Sequence, residues 1–268
     1  NNNNNNNNTF DPWISSNWLV CSLAFLSASS DVIAQKRHDC YVSMMTGNLI
    51  RMAHSLAELR WLDTLLAFLV VMSYTGGIAL YTIVSQVVTG FVQQRRDDSN
   101  LSYKTNEHKE TDKAAMTVVV APMILLLMGS GGLLSLGSGK QIQQNNNSVF
   151  GLFLMAVGGG LVNAATMNAT GGTVIYACTG HISKIGKALG GQLLMNHTNK
   201  EQSLGKDMAL SLKVVLSFGA GAVVTVAAWN YCSQAAESFP WFATLGVSHA
   251  ILLGLYGFPA FCHTLRSF

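Results

Sequence analysis

The sequence predicts an all-α polytopic membrane protein, and three observations carry that expectation. Of its 268 residues 49% are hydrophobic and only 11% charged, against roughly 25% charged in an ordinary soluble domain. Ten acidic and basic side chains crowd between Arg95 and Lys113, which leaves long stretches elsewhere almost free of charge. Those stretches approach or exceed the ~20 apolar residues that a helix needs to cross the hydrocarbon core. The net charge of +3 is small and scattered, so no footprint for nucleic acid is present.

Six runs read as spanning helices. Residues 18–34 are interrupted by Ser22, Ser27, Ser29 and Ser30 and meet Asp31 near the end; serine bonds back to its own helix in lipid, so the run can still span. Residues 62–92 are apolar apart from Asp63 and Gln86. Residues 114–139 hold Pro122, an expected kink. Residues 149–167, 208–229 and 242–262 complete the set. The clusters around Gly131, Gly159 and Gly219 predict close helix contacts. The five cysteines show no paired spacing, so neither a disulfide nor a metal framework is expected, and no cofactor motif is present.

The eight leading asparagines, with no Met ahead of them, read as the end of a longer disordered Asn-rich tail over residues 1–12. Residues 13–264 then form a single membrane domain, made of repeat 1 (13–139, with a charged loop at 93–113) and repeat 2 (149–264).

Two further segments, 41–59 and 174–194, are semi-polar. Each begins apolar, passes a Thr-Gly pair and then acquires basic residues: Arg51 in the first, Lys184 and Lys187 in the second. A full crossing would bury those charges in lipid, whereas a re-entrant or half-length helix keeps them near a head-group surface. If both segments turn back, six spans place eleven Lys and Arg on one face and five on the other. If both cross, the split is nine to seven. The positive-inside tendency favours six spans with both termini cytoplasmic.

The two segments also match each other. Thr46, Gly47, Leu49, Arg51 and Leu56 stand opposite Thr179, Gly180, Ile182, Lys184 and Leu189 at one constant offset, with Asn48 opposite His181. The following spans align as well, Ser73 to Gly77 against Ser217 to Gly221. The chain therefore reads as two homologous halves. With three spans per half the second copy is inverted, a plan that recurs in secondary transporters built around interrupted helices.

The stretch Tyr41-Val42-Ser43-Met44-Met45-Thr46-Gly47-Asn48 resembles the first signature of the YoaK-like membrane proteins, a family defined as a domain of unknown function. Val157-Gly158-Gly159-Gly160-Leu161-Val162-Asn163-Ala164-Ala165, followed by Cys178-Thr179-Gly180, resembles its second. The resemblance runs from about Trp18 to Cys262; the Asn-rich start and the charged loop depart from it. It implies a membrane location and a duplicated fold, and it implies no reaction.

The candidate site follows from the motifs. Gly allows close backbone approach, and Thr can cap the start of a half-helix whose free N–H groups suit a small polar or anionic solute. Thr46, Gly47, Asn48, Arg51, Asn163, Thr179, Gly180, His181 and Lys184 are therefore the expected solute-binding residues, gathered where the two Thr-Gly segments approach near mid-membrane. Asp31 and His54 are the expected proton or ion-coupling residues. The plainer alternative gives Gly to helix packing, Arg and Lys to the head groups, and Asp31 to a capping or ion-pair role. Overall the sequence favours a small-solute transporter embedded in the bilayer. A structural or partner-binding membrane protein is the second reading. A membrane-embedded enzyme is the third, with Ser43 and His54 or Cys178 and His181 as its only candidate pairs.

Overall fold

The computed structural model describes residues 14–98, 106–134, 146–170, 181, 185, 201–231 and 241–266. Among them lie seven long or intermediate helices: α1 (Ser16–His38), α2 (Met45–Ala57), α3 (Trp61–Asp98), α4 (Asn106–Leu134), α5 (Asn146–Ala169), α6 (Glu201–Tyr231) and α7 (Trp241–Arg266). No strand occurs among the described residues. The tail at 1–12, residues 99–105 of the charged loop, and Cys178, Thr179, Gly180 and Lys184 lie outside them.

Six helices are long and apolar enough to cross a membrane: Ser16–His38, Trp61–Val92, Thr111–Leu134, Ser148–Ala169, Met208–Tyr231 and Ala243–Leu265. All six coincide with the apolar runs of the sequence. The serines of α1 bond inward to their own helix, Ser27 to Leu23, Ser29 to Phe25 and Ser30 to Leu26. That satisfies each hydroxyl without water and lets a Ser-rich segment sit in an apolar medium. Pro122 lies inside α4, which runs on through it.

α2 is different in kind. Its 13 residues extend about 20 Å at 1.5 Å per residue, short of the ~30 Å hydrocarbon core. A turn led by Asp39 (φ 52°) ends α1, and Leu59 (φ 59°) turns the chain from α2 into α3.

Contacts fix the direction of each helix. Gly77 of α3 lies against the Val157 carbonyl of α5, while Tyr81 meets Asn168 farther along, so α3 and α5 run parallel. Gly221 of α6 lies against the Phe25 carbonyl of α1, while Arg37 stacks over Trp229 at 5.8 Å, so α1 and α6 are parallel too. α4 runs antiparallel to α7: the Thr117 hydroxyl bonds to the Leu253 carbonyl at 2.9 Å, and Gly246 faces Met128. The α4–α7 pair is the largest interface, followed by α4–α5, α3–α5 and α1–α6. α1 and α5 are the most enclosed spans, whereas α3 and α6 expose most of their apolar surface, as lipid-facing helices do. Each of these directions agrees with six helices crossing alternately, with the starts of α1, α4 and α6 at one end together with the finishes of α3, α5 and α7.

Candidate functional site

Asp31 sits on α1 two turns before its end and is 2% exposed. Its carboxylate accepts the Ser43 N–H at 2.7 Å and the Ser43 hydroxyl at 2.5 Å. The backbone N–H groups of Val42 and Met44 face it as well. Met44 is the N-cap residue of α2 and offers no side-chain cap. The first N–H groups of a helix need an outside acceptor and carry partial positive charge. Asp31 takes the N–H groups of the turn that leads into α2, so residues 42–44 are pinned to a buried carboxylate, while the Met45 N–H bonds the Ser43 carbonyl and the Gly47 N–H that of Met44. Among the described residues no Lys or Arg forms an ion pair with Asp31.

The turn ahead of the expected solute site thus holds a carboxylate of the protein's own. Thr46 is not the cap; it lies exposed in the first turn. Gly47 is needed for space, because a Cβ there would come within 2.7 Å of the Tyr41 ring. Asn48 is fully buried, and both ends of its amide are held by Tyr41: Nδ2 donates to the Tyr41 carbonyl at 2.6 Å and Oδ1 accepts the Tyr41 N–H at 2.9 Å. Arg51 pairs with Asp39 at 2.8 Å, tying α2 back to the end of α1. His54 is largely exposed and lies 3.4 Å from Glu58, so it does not join Ser43 and Asp31. Beside this corner Cys40 is fully buried, and burial pushes its thiol from 9.0 up to about 11.

His181 belongs to the other end of the bundle. It is buried, with Nδ1 3.2 Å from the Ser211 hydroxyl of α6. Ser211 precedes the Gly221–Phe25 contact by nearly three turns, and Asp31 lies almost two turns beyond Phe25. His181 and Asp31 are therefore separated by roughly 20 Å along the bundle axis.

What the structure brings to Asp31 is the middle of the bundle. Tyr74 of α3, 7% exposed, has its hydroxyl within range of the Asp31 charge and in a hydrogen bond with the Asn163 side chain of α5. Asn163 is 6% exposed, and its Oδ1 has no hydrogen-bond partner. Asn163 also reaches the inner end of a groove of about 370 Å³ between α3 and α5, whose polar lining adds Tyr81, Thr82, Ser85, Gln86 and Asn168. Asn168 Nδ2 donates to the Tyr81 hydroxyl at 2.6 Å. Polar side chains thus lie along the α3–α5 groove from Asn168 to Asn163, and Asn163 bonds to Tyr74 beyond it.

Tyr74, Tyr81 and Ser85 were not singled out from the sequence. Their spacing of seven and then four residues, with Gly77 and Ile78 between, places them on one face of α3, and that periodicity was the available signal. Among the described residues no three His, Cys, Asp or Glu side chains gather to hold a metal ion.

No curated protein and no solved structure matches the chain. A family model described as a protein of unknown function, DUF1275, matches residues 19–254, from the first turn of α1 into α7. With nearly the whole bundle inside that match, the chain belongs to the DUF1275 family, which includes the YoaK-like proteins whose paired signatures it resembles.

Proposed function

We propose that this membrane protein is a small-solute transporter working by alternating access, with both termini cytoplasmic and two inverted halves exchanging their packing. The observation that carries the reading is the open groove between α3 and α5, whose polar lining residues run from Asn168 to the buried Asn163, itself hydrogen-bonded to Tyr74. Polar groups at membrane depth are costly to keep and mark solute or ion pathways by default.

The repeat supports the two-state part. Gly77 and Gly221 correspond between the halves, and each packs on the backbone carbonyl of the opposite half's first span, at Val157 and Phe25. Those two carbonyls share the register that relates Asp31 to Asn163, within one residue of that set by the Thr-Gly pairs. In the register of the two glycines the counterpart of the α3–α5 groove is the α1–α6 seam, where Trp229 stands opposite Ser85. There the indole is covered by Arg37. One groove is lined by Ser85 and open, and its counterpart is filled by an indole, which is how an inverted pair looks when caught in one of its two states. Thr179, Gly180, His181 and Lys184 then serve the cytoplasmic end of the path, and Thr46, Gly47, Asn48 and Arg51 its outer end.

The test needs no substrate. A membrane-impermeant maleimide is applied to Thr82→Cys and Val226→Cys in a background without native cysteines, in right-side-out and inside-out vesicles. Labelling requires water at the thiol, so Thr82→Cys should react from the cytoplasmic face and Val226→Cys, more slowly, from the outer face. If neither position reacts from either side, both seams are lipid-packed and the transport reading fails.

A further inference from the structure

We infer that the solute taken into the α3–α5 groove is a small uncharged polyol or sugar, with Asn163 meeting its deepest hydroxyl. The inference deepens the transport reading by naming a substrate class. It rests on that reading for the solute's passage, while the preference itself stands on what lines the groove.

One cavity of about 370 Å³ brings the residues together. That volume lies near the lower end of the ~300–1,000 Å³ usual for small-molecule sites, so the solute is small. Six of the nine lining residues are polar, three through hydroxyls (Tyr81, Thr82, Ser85) and three through amides (Gln86, Asn163, Asn168). None of the nine carries a charge. An ionised solute drawn to membrane depth would leave its charge without a partner there, at a cost its hydrogen bonds cannot offset. The lining therefore selects a neutral solute. The three remaining lining residues are apolar and suit a carbon skeleton.

Asn163 says what that solute must offer. Its side chain is 6% exposed, and Oδ1 has no hydrogen-bond partner. The bond to the Tyr74 hydroxyl therefore runs from Nδ2. A buried acceptor left unmet is costly, and a solute seated against Asn163 supplies the missing donor. Turning the amide would exchange the orphaned oxygen for an orphaned N–H. A hydroxyl answers either orientation, because it donates and accepts at one atom.

The other end of the groove is built in advance. Tyr81 is also 6% exposed, and its hydroxyl is held by Asn168 Nδ2 at 2.6 Å and by the Ser85 side chain. Asn163 and Asn168 stand about 7.5 Å apart along the axis of α5 at 1.5 Å per residue. Several hydroxyls carried along one carbon chain can meet both, and a single alcohol or amide cannot. Tyr81 is the one aromatic residue of the described lining, so a flat ring finds no pair of faces to stack between.

The test reads occupancy through the Thr82→Cys thiol of the full chain, without native cysteines, in micelles of a detergent that carries no sugar. Reaction with the impermeant maleimide is timed alone and in xylitol, sorbitol, gluconate, glucosamine or acetamide at equal osmolarity. Xylitol or sorbitol should slow the reaction severalfold in a saturable way, and the other three should not. Leu56→Cys, exposed on α2, should react at one rate throughout. Asn163→Leu should raise the polyol concentration for half-protection about tenfold, the effect of one lost hydrogen bond in a buried site. Gln86→Leu, on the exposed side of the groove, should raise it less and stands in if the first variant does not fold. Equal rates with and without polyol, or equal protection by gluconate or acetamide, overturn the inference and leave the water-filled path standing. Protection by octyl glucoside but by no free polyol assigns the groove to a lipid-linked sugar and also overturns it. A Thr82→Cys thiol that never reacts removes path and solute together.

Discussion

The carboxylate of Asp31 in α1 anchors the turn that leads into α2, taking the N–H of Ser43 at 2.7 Å and its hydroxyl at 2.5 Å. A buried anion is tolerated only when several donors converge on it. The turn of residues 42–44 just before α2 provides those donors, and the arrangement makes the two helices depend on one another.

Ser43→Ala should therefore destabilise the fold by about 2 kcal/mol, the usual worth of a hydrogen bond to a charged group. Ser43→Thr, which keeps the hydroxyl, should recover most of that loss. Detergent-solubilised thermal unfolding of the three proteins measures the effect; equal melting temperatures for wild type and alanine variant would remove the anchoring role.

The glycines divide sharply. A methyl at Gly77 or Gly221 would drive into the carbonyl of Val157 or Phe25, whereas one at Gly76 or Gly219 meets nothing within 4 Å. Gly77→Ala and Gly221→Ala should each cost about 1–3 kcal/mol by overpacking. Gly76→Ala and Gly219→Ala should be neutral or slightly stabilising, since alanine is the better helix former. The four melting temperatures provide the comparison.

Cys40 should be a slow nucleophile. The thiolate is the reactive form, and burial lifts this thiol from 9.0 to about 11. Iodoacetamide at pH 8 should modify Cys21 and Cys262 before Cys40, as read by mass spectrometry. The sign for stability follows: the folded thiol holds its proton more tightly than the unfolded one. Its contribution is complete below pH 9 and is lost as pH rises toward 11.

Asn48→Ala should be more damaging than Arg51→Ala. The first leaves both the N–H and the carbonyl of partly buried Tyr41 unpaired, about 1–3 kcal/mol each way of counting. The second removes an ion pair whose Asp39 side chain is 68% exposed, and exposed pairs are worth about 0–1 kcal/mol. Protease nicking between α1 and α2 would rank the two.

Much of the bundle was legible in the sequence because the bilayer imposes a length rule. Each of the six apolar runs became a helix within a few residues of its expected ends, even the serine-broken run that became α1, and residues 41–59 contain the helix too short to span. The site was legible only in parts. Asp31 and Asn163 stood out as polar groups in apolar runs, but nothing in a linear pattern says that Ser43, twelve positions on, returns to Asp31. An ion-pair role stood open to Asp31, yet no described Lys or Arg pairs with it, and Arg37 of its own helix lies over Trp229. Asn48 was read as a solute ligand because its neighbours are Thr and Gly, and its use by the Tyr41 backbone depends on a turn whose geometry composition does not encode. Tyr74 was hidden because its one signal, the seven-residue spacing to Tyr81, is buried in an otherwise apolar run.

The packing order has a consequence for how the chain reaches its final state. The large interfaces of α1, α3 and α4 are all made with helices that follow residue 145, since α1 packs on α6, α3 on α5, and α4 on both α5 and α7. When the ribosome has delivered the first three spans to the membrane, they have almost nothing to hold one another, and Asp31 and Tyr74 wait in lipid without Asn163. Biogenesis must keep those spans apart from wrong neighbours until α5 emerges, so an insertion chaperone or a slow stretch of translation has its greatest value here. Severing the chain between α4 and α5 should yield two fragments that are degraded when made singly and rescued when made together.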